Sequence, residues 1–226
     1  MKRINILLVE DHAVVREGFR KILEMEKDFR TVGEACNGRQ AVSLVKRLRP
    51  SIILMDIAMP KLNGLEATRQ ILLFFPEAKV ILLSAYSDDA YVRNAAKAGA
   101  RGFLLKQTTS QDLCSAIRKV DGGKSLFSTL THHHRREYAY AYHKKSKVSS
   151  VAISDRLTTR EMEVLQLIAE GNANKQIAAE LEVSMKTVEK HRENLMRKLD
   201  IHDTASLTRY AMDSGIIESN ISLRIT

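Results

Sequence analysis

A chain of 226 residues with 44% hydrophobic and 28% charged residues has a globular composition and room for two ordinary domains. Two cysteines, Cys36 and Cys114, lie far apart with no second pair, which argues against a cysteine metal site or a disulfide framework and fits a reducing compartment. The net charge of +9 suggests a polyanionic partner without locating it, because residues 1–123 carry 20 Lys and Arg against 14 Asp and Glu and the remainder 16 against 13.

The first apolar run, residues 4–9, follows Met1-Lys2-Arg3 and meets Glu10 and Asp11 at once. That is too short for a signal peptide, so it reads as a strand. No stretch approaches the roughly 20 apolar residues of a membrane span, and a soluble, cytoplasmic protein is expected. Four more short apolar runs follow at 31–35, 52–55, 80–83 and 102–105, each continuous rather than alternating, as in strands buried on both faces. Helical patterns lie between and after them, near 14–25, 38–48, 64–75, 88–98 and 110–121. This alternation predicts an α/β fold, a doubly wound five-stranded parallel sheet over residues 1–123. Asn63 with Glu66, and Thr108 with Gln111, stand at N-cap and N3 spacing. Gly99 and the pair Gly122-Gly123 are placed to stop helices, and Pro50, Pro60 and Pro76 fall between elements.

The pattern fails over residues 124–154, read as a basic polar linker: Lys124, Arg135, Arg136, Lys144, Lys145 and Lys147 face one acid, Glu137. His132-His133-His134 has no Cys, Asp or Glu at ligand spacing and reads as a solvated tract. Residues 155–226 give only helical signals, which predict a small all-α four-helix domain. Thr158 and Glu161 form a capping box, and Met162, Leu165, Ile168 and Ala169 follow at helical spacing to Gly171. A second helix runs over 174–181. Ser184 caps a third, to about Leu199, and a fourth follows Asp203. The second and third make a tight helix-turn-helix.

Ligands of open parallel sheets bind at the carboxyl ends of the strands. There this sequence places Glu10 and Asp11 after the first strand, Asp56 after the third, Ser84 after the fourth and Lys106 after the fifth. Clustered acids raise one another's pKa unless a cation intervenes, and a hard ion such as Mg²⁺ suits an oxygen set. If Asp56 attacks a phosphoryl group, Mg²⁺ and Lys106 neutralise the charge on its oxygens and Ser84 donates a hydrogen bond.

The segments Leu8-Val9-Glu10-Asp11-His12, Leu54-Met55-Asp56-Ile57-Ala58-Met59-Pro60, Leu83-Ser84-Ala85 and Gly102-Phe103-Leu104-Leu105-Lys106 resemble a response-regulator receiver domain, of flavodoxin-like fold, over essentially all of residues 1–123. The resemblance implies that Asp56 accepts phosphate from a phosphohistidine on a sensor histidine kinase. It implies that Asp11, Asp56 and the backbone carbonyl of Ala58 ligate Mg²⁺ (or Mn²⁺), with Glu10 assisting. It also implies that Ser84 and Phe103 form a switch pair, the hydroxyl moving toward the phosphoryl group and the ring turning inward. His12 stands beside the cluster and is not read as a phosphoacceptor.

On the third helix of the second domain, Val188, Leu195 and Leu199 form a core-facing stripe. The other face carries Lys186, Thr187, Glu189, Lys190, Glu193, Asn194 and Arg197. Such a face suits the major groove: Lys190 could read guanine, Glu189 or Glu193 could accept from cytosine N4, and Lys186, Arg192, Arg197 and the helix start near Thr187 suit phosphates. On composition alone an ordinary solvated face is equally consistent. The motifs Leu157-Thr158-Thr159-Arg160-Glu161, Leu181-Glu182-Val183-Ser184 and Lys186-Thr187-Val188-Glu189-Lys190-His191-Arg192 resemble the LuxR-type helix-turn-helix of NarL/FixJ-family regulators, over about residues 155–218. The resemblance implies promoter DNA and RNA polymerase as partners, base-facing positions at Glu189, Lys190 and Glu193, a dimer contact on the fourth helix, and a homodimer formed on phosphorylation. The expectation is a transcription factor gated by phosphate, not an enzyme acting on a separate substrate. Two other readings remain on the residues: a constitutive DNA-binding protein with a structural first domain, and a signalling adaptor or phosphatase-like enzyme that docks proteins through its helical domain.

Overall fold

Apolar runs bounded by turn residues become strands, and the stretches with one apolar face become the helices that cover them. The computed structural model describes residues 3–87, 89–127 and 157–217. The histidine tract and most of the predicted linker 124–154 lie outside the described residues. The chain divides into two units, Met1–Ser149 and Ser150–Thr226.

The first unit runs β1 (Ile4–Val9), α1 (Ala13–Glu24), β2 (Phe29–Ala35), α2 (Gly38–Leu48), β3 (Ile52–Asp56), α3 (Gly64–Phe74), β4 (Val80–Ser84), α4 (Asp89–Lys97), β5 (Gly102–Leu105) and α5 (Ser110–Asp121). The five strands are all parallel, in the order β2-β1-β3-β4-β5. Alternate residues serve opposite faces. Leu7, Val9, Ile53, Met55 and Leu82 join one core, while Ile6, Leu8, Ile52, Leu54, Ile81 and Leu83 join the other. Two-sided burial is why these runs are continuous. The order of strands reverses between β1 and β3, so a crevice opens outside their carboxyl ends.

Two expectations need correction. β2 is not buried on both faces: it begins at Phe29, Arg30 and Glu34 are exposed, and its pairing shifts register opposite Ile6 and Leu7. An edge strand has a neighbour on one side only, so its solvent face tolerates charge. The cap of α5 is Thr109, accepting from the Asp112 amide at 3.2 Å, and not Thr108. The Thr108 amide is engaged by the Leu105 carbonyl in the turn leaving β5, which moves the cap one residue on. Asn63 caps α3 as expected, accepting from the Glu66 amide at 2.9 Å.

The turn from β3 into α3 is close-packed against the strand that carries Asp56. The Gly64 amide donates to the Ile57 carbonyl, and a Cβ at Gly64 would stand 2.1 Å from the Asp56 carbonyl oxygen. Gly64→Ala is therefore expected to displace that strand end and to destabilise the unit by about 1–3 kcal/mol. Urea denaturation of the purified variant measures this, and an unchanged midpoint would show that the turn yields freely.

The second unit runs α6 (Thr159–Ala169), α7 (Asn174–Glu180), α8 (Met185–Leu199) and α9 (Thr204–Asp213). The Thr158 capping box forms as predicted, Ser184 caps α8 and Asp203 caps α9. Glu182 turns the chain between α7 and α8 at φ 53°, a left-handed conformation that closes the helix-turn-helix tightly. Leu165, Ile177, Val188, Leu195 and Leu207 fill the core with no exposed surface. The carboxylate of Glu161, already capping Thr158, also takes Lys198 at 2.6 Å and so ties the start of α6 to the end of α8. Among the described residues no helix is long and apolar enough to cross a membrane.

Candidate functional site

The first unit gathers its polar groups at the carboxyl edge of the sheet. Glu10 and Asp11 leave β1, Asp56 ends β3, Ser84 ends β4, and Lys106 follows β5. Strands packed in parallel bring these ends together although the residues lie up to 96 positions apart. The Lys106 Nζ stands 2.9 Å from Asp56 Oδ2 and 2.9 Å from Glu10 Oε2. Asp56 and Glu10 are almost wholly buried. Asp56 Oδ1 is buried with no hydrogen-bond partner among the described residues.

Burial and the neighbouring Glu10 charge push the Asp56 carboxyl up to about 7, against the opposing pull of Lys106. Burial lowers the Lys106 ammonium, but Asp56 and Glu10 raise it by more, so it stays charged. Lys106 faces Glu10 and Asp56, with the Asp11 carboxylate close by, so the acids of the cluster outnumber this lysine. Glu10, Asp11, His12 and Asp56 each offer a ligand atom, and these atoms all lie within 4.8 Å of one another. An unpartnered buried carboxylate oxygen in an oxygen-rich set fits a hard divalent cation.

Ser84 and Phe103 are both buried. The Ser84 Oγ accepts from the Tyr86 amide at 3.0 Å, and the Tyr86 ring stacks on Tyr91 of α4 with centroids 6.3 Å apart. Phe103 belongs to the core cluster that holds Leu82, Ala95 and Ala98. Ala58 lies half-buried in the loop between β3 and α3.

Two residues beyond the five at the strand ends contribute to the cluster. His12, placed only beside the cluster, has its Nδ1 3.0 Å from Glu10 Oε1 and 3.0 Å from Asp11 Oδ1, and the Glu10 hydrogen bond raises its pKa. Arg16 donates to the Glu10 carbonyl at 2.7 Å and pairs with Glu34 at 3.3 Å, which fixes the turn carrying both acids. The signal was available: Arg16 stands one helical turn after His12.

In the second unit, Lys186, Glu189, Lys190, Glu193 and Arg197 are exposed on α8, opposite the buried stripe of Val188, Leu195 and Leu199. Thr187 is half-buried, its amide and hydroxyl both engaged by Ser184. Arg197 donates to Asn194 at 3.0 Å. Arg192, expected at a phosphate, is also engaged within the unit. It is half-buried, and its guanidinium donates to Asn174 at the start of α7 and to Thr204 at the start of α9. Arg192 thus fastens three helices. Arg192→Ala is expected to destabilise the helical unit by about 1–2 kcal/mol, read from its thermal transition. An unchanged transition would return Arg192 to the surface cations.

Residues 6–118 match the family model of the response regulator receiver domain, and residues 155–211 match that of the bacterial regulatory proteins, luxR family. The transcriptional regulatory protein DegU of Brevibacillus brevis is 36% identical, over 96% of this chain and 96% of its own. The response regulator protein VraR of Staphylococcus aureus is 34% identical, over 95% of this chain and 99% of its own. Among solved structures, RcsB from Salmonella enterica serovar Typhimurium, bound to a promoter in the presence of phosphomimetic BeF3−, matches with a TM-score of 0.58 and 26% identity, covering 94% of this chain and 100% of that one. Two complete family matches on one chain, with relatives aligned from end to end, place this protein in the NarL/FixJ family of DNA-binding response regulators of two-component systems.

Proposed function

We propose that Asp56 is the phosphoacceptor of a switch that controls promoter binding. One observation supports this most directly: a buried carboxylate whose Oδ1 has no hydrogen-bond partner among the described residues, with Lys106 2.9 Å from its other oxygen. Asp56 attacks the phosphorus of a phosphohistidine on a sensor histidine kinase. The P–N bond breaks, a P–O bond forms on the Asp56 carboxylate, and the imidazole leaves and takes up a proton. Lys106 neutralises charge on the transferred group. Glu10, Asp11, Asp56 and the carbonyl of Ala58 would hold Mg²⁺ or Mn²⁺, which when bound supplies positive charge to the phosphoryl oxygens. Ser84 exchanges its bond from the Tyr86 amide for one to the phosphoryl group. Phe103, already buried, locks the new arrangement.

The output is a homodimer on promoter DNA, with α8 in the major groove and α9 at the dimer contact. Lys186, Thr187, Glu189, Lys190, Glu193 and Arg197 face the duplex, while Arg192 keeps α8 seated. Receiver 1–123, linker 124–154 and DNA-binding domain 155–226 are the working parts, in the cytoplasm, with RNA polymerase as the final partner. The test is a gel-shift series on the DNA upstream of the protein's own coding sequence, with and without acetyl phosphate and Mg²⁺. Tighter, sequence-specific binding only after phosphorylation supports the reading. Equal binding in both states removes the gating and leaves the DNA-binding role.

A further inference from the structure

The helical unit carries a charge unusual for a surface that meets DNA. Residues 157–217 hold 8 Lys and Arg against 10 Asp and Glu, so the unit is net negative by 2 although the chain is +9. Several of those cations are also spent within the unit. Lys198 is held by Glu161, Arg160 by Glu163, and Arg192 by Asn174 and Thr204. Non-specific affinity for DNA comes from cations that neutralise phosphates. This unit has little to offer that term, so its affinity must come from base contacts to a larger degree than usual.

Those contacts start from an exposed acidic pair. Glu189 and Glu193 stand one helical turn apart on the exposed face of α8, with Lys190 beside the first. Neither carboxylate is paired by a described hydrogen bond or ion pair, whereas Glu161 and Glu163 of α6 both are. A carboxylate brought into the major groove loses water and meets mostly acceptors: guanine N7 and O6, adenine N7, thymine O4. The exocyclic N4 amine of cytosine is the donor that a carboxylate side chain pairs with there. Guanine and thymine offer the carboxylate no donor there, and the adenine N6 amine comes with the N7 acceptor beside it, so the charge penalises the wrong sequence more than it rewards the right one.

We infer that Glu189 and Glu193 are specificity-determining residues that require cytosine at two positions of each half-site and, by repelling phosphate, suppress binding to other DNA. This rests on the reading of α8 as the helix that enters the major groove. Four residues of helix rise about 6 Å, close to two base-pair steps of about 3.4 Å. The two cytosines are therefore separated by one base pair.

The experiment selects binding sites from a random duplex library with the full chain, phosphorylated by acetyl phosphate and Mg²⁺. It is repeated with Glu189→Gln, Glu193→Gln and the control Asp200→Asn. Asp200 is exposed at the end of α8 in a left-handed conformation that asparagine tolerates, so the control removes one charge away from the reading face. The wild type and the control should both enrich the paired cytosines. Each glutamine variant should lose the requirement at one of the two positions, with discrimination there falling roughly tenfold or more, while binding to random DNA rises. An unchanged motif in all variants, with affinity raised uniformly, would make the glutamates a solvated face and overturn the inference while DNA binding stood. Failure of the wild type to enrich any motif would overturn the DNA-reading role of α8 and the inference with it. Thermal transitions of the variants, at exposed positions, should match the wild type.

Discussion

Asp56→Asn is expected to abolish phosphoryl uptake from acetyl phosphate, a loss of at least about a thousandfold, and with it the phosphate-dependent gain in DNA affinity. The substitution keeps the shape and removes the nucleophile. An amide oxygen is a poor nucleophile, and the neighbours cannot readily take over. Glu10 is buried against Lys106 and His12, and Asp11 is engaged by His12. Radiolabel incorporation with intact circular dichroism measures the effect. Label on the variant at the wild-type level would move the acceptor to Asp11 or Glu10.

The second large effect concerns stability. The folded Asp56 carboxyl is raised from its ordinary 3.8 to about 7 by burial and by Glu10. Between those values the folded protein holds a proton that the unfolded chain has released. The folded state binds more protons, so stability falls as pH rises through this window and levels off above about 7. A displacement of this size corresponds to about 4 kcal/mol, the upper end of what the metal-free protein should lose between pH 4 and pH 8. A divalent cation favours the ionised form, so Mg²⁺ should restore stability at pH 8 and do little at pH 5. Asp56→Asn should flatten both the pH slope and the Mg²⁺ response. Urea titrations in chelator and in Mg²⁺ test this. A wild-type slope equal to that of Asp56→Asn would mean that the carboxylate is ionised throughout.

These two predictions draw on different levels of information. That Asp56 stands at a strand end is legible in the chain, because the apolar run 52–55 breaks at an acid followed by Pro60 and Asn63-Gly64. That its oxygen lies 2.9 Å from Lys106, and that burial lifts its pKa, belong to the packed sheet. The same division runs through the second unit. The stripe of Val188, Leu195 and Leu199 is a periodic signal, and all three are buried as read. The role of Arg192 is not periodic. Its position on α8 suggested a phosphate contact, and only the approach of α7 and α9 supplies Asn174 and Thr204.

Local errors have local causes. Thr108 and Thr109 are adjacent and equally able to cap, and the turn from β5 decides between them by occupying the Thr108 amide. β2 looked like the other apolar runs, but whether a strand is central or at an edge depends on the order of strands in the sheet.

The sequence alone determined the alternation of elements, the two-unit organisation, the helix caps at Asn63, Thr158 and Ser184, and the five polar residues at the strand ends, because each is written in short-range periodicity or in turn chemistry. The tertiary structure decided which of those residues share charge, which sides of β2 meet water, and how His12, Arg16 and Arg192 are employed. Those outcomes depend on distances between residues far apart in the chain, which no local pattern encodes.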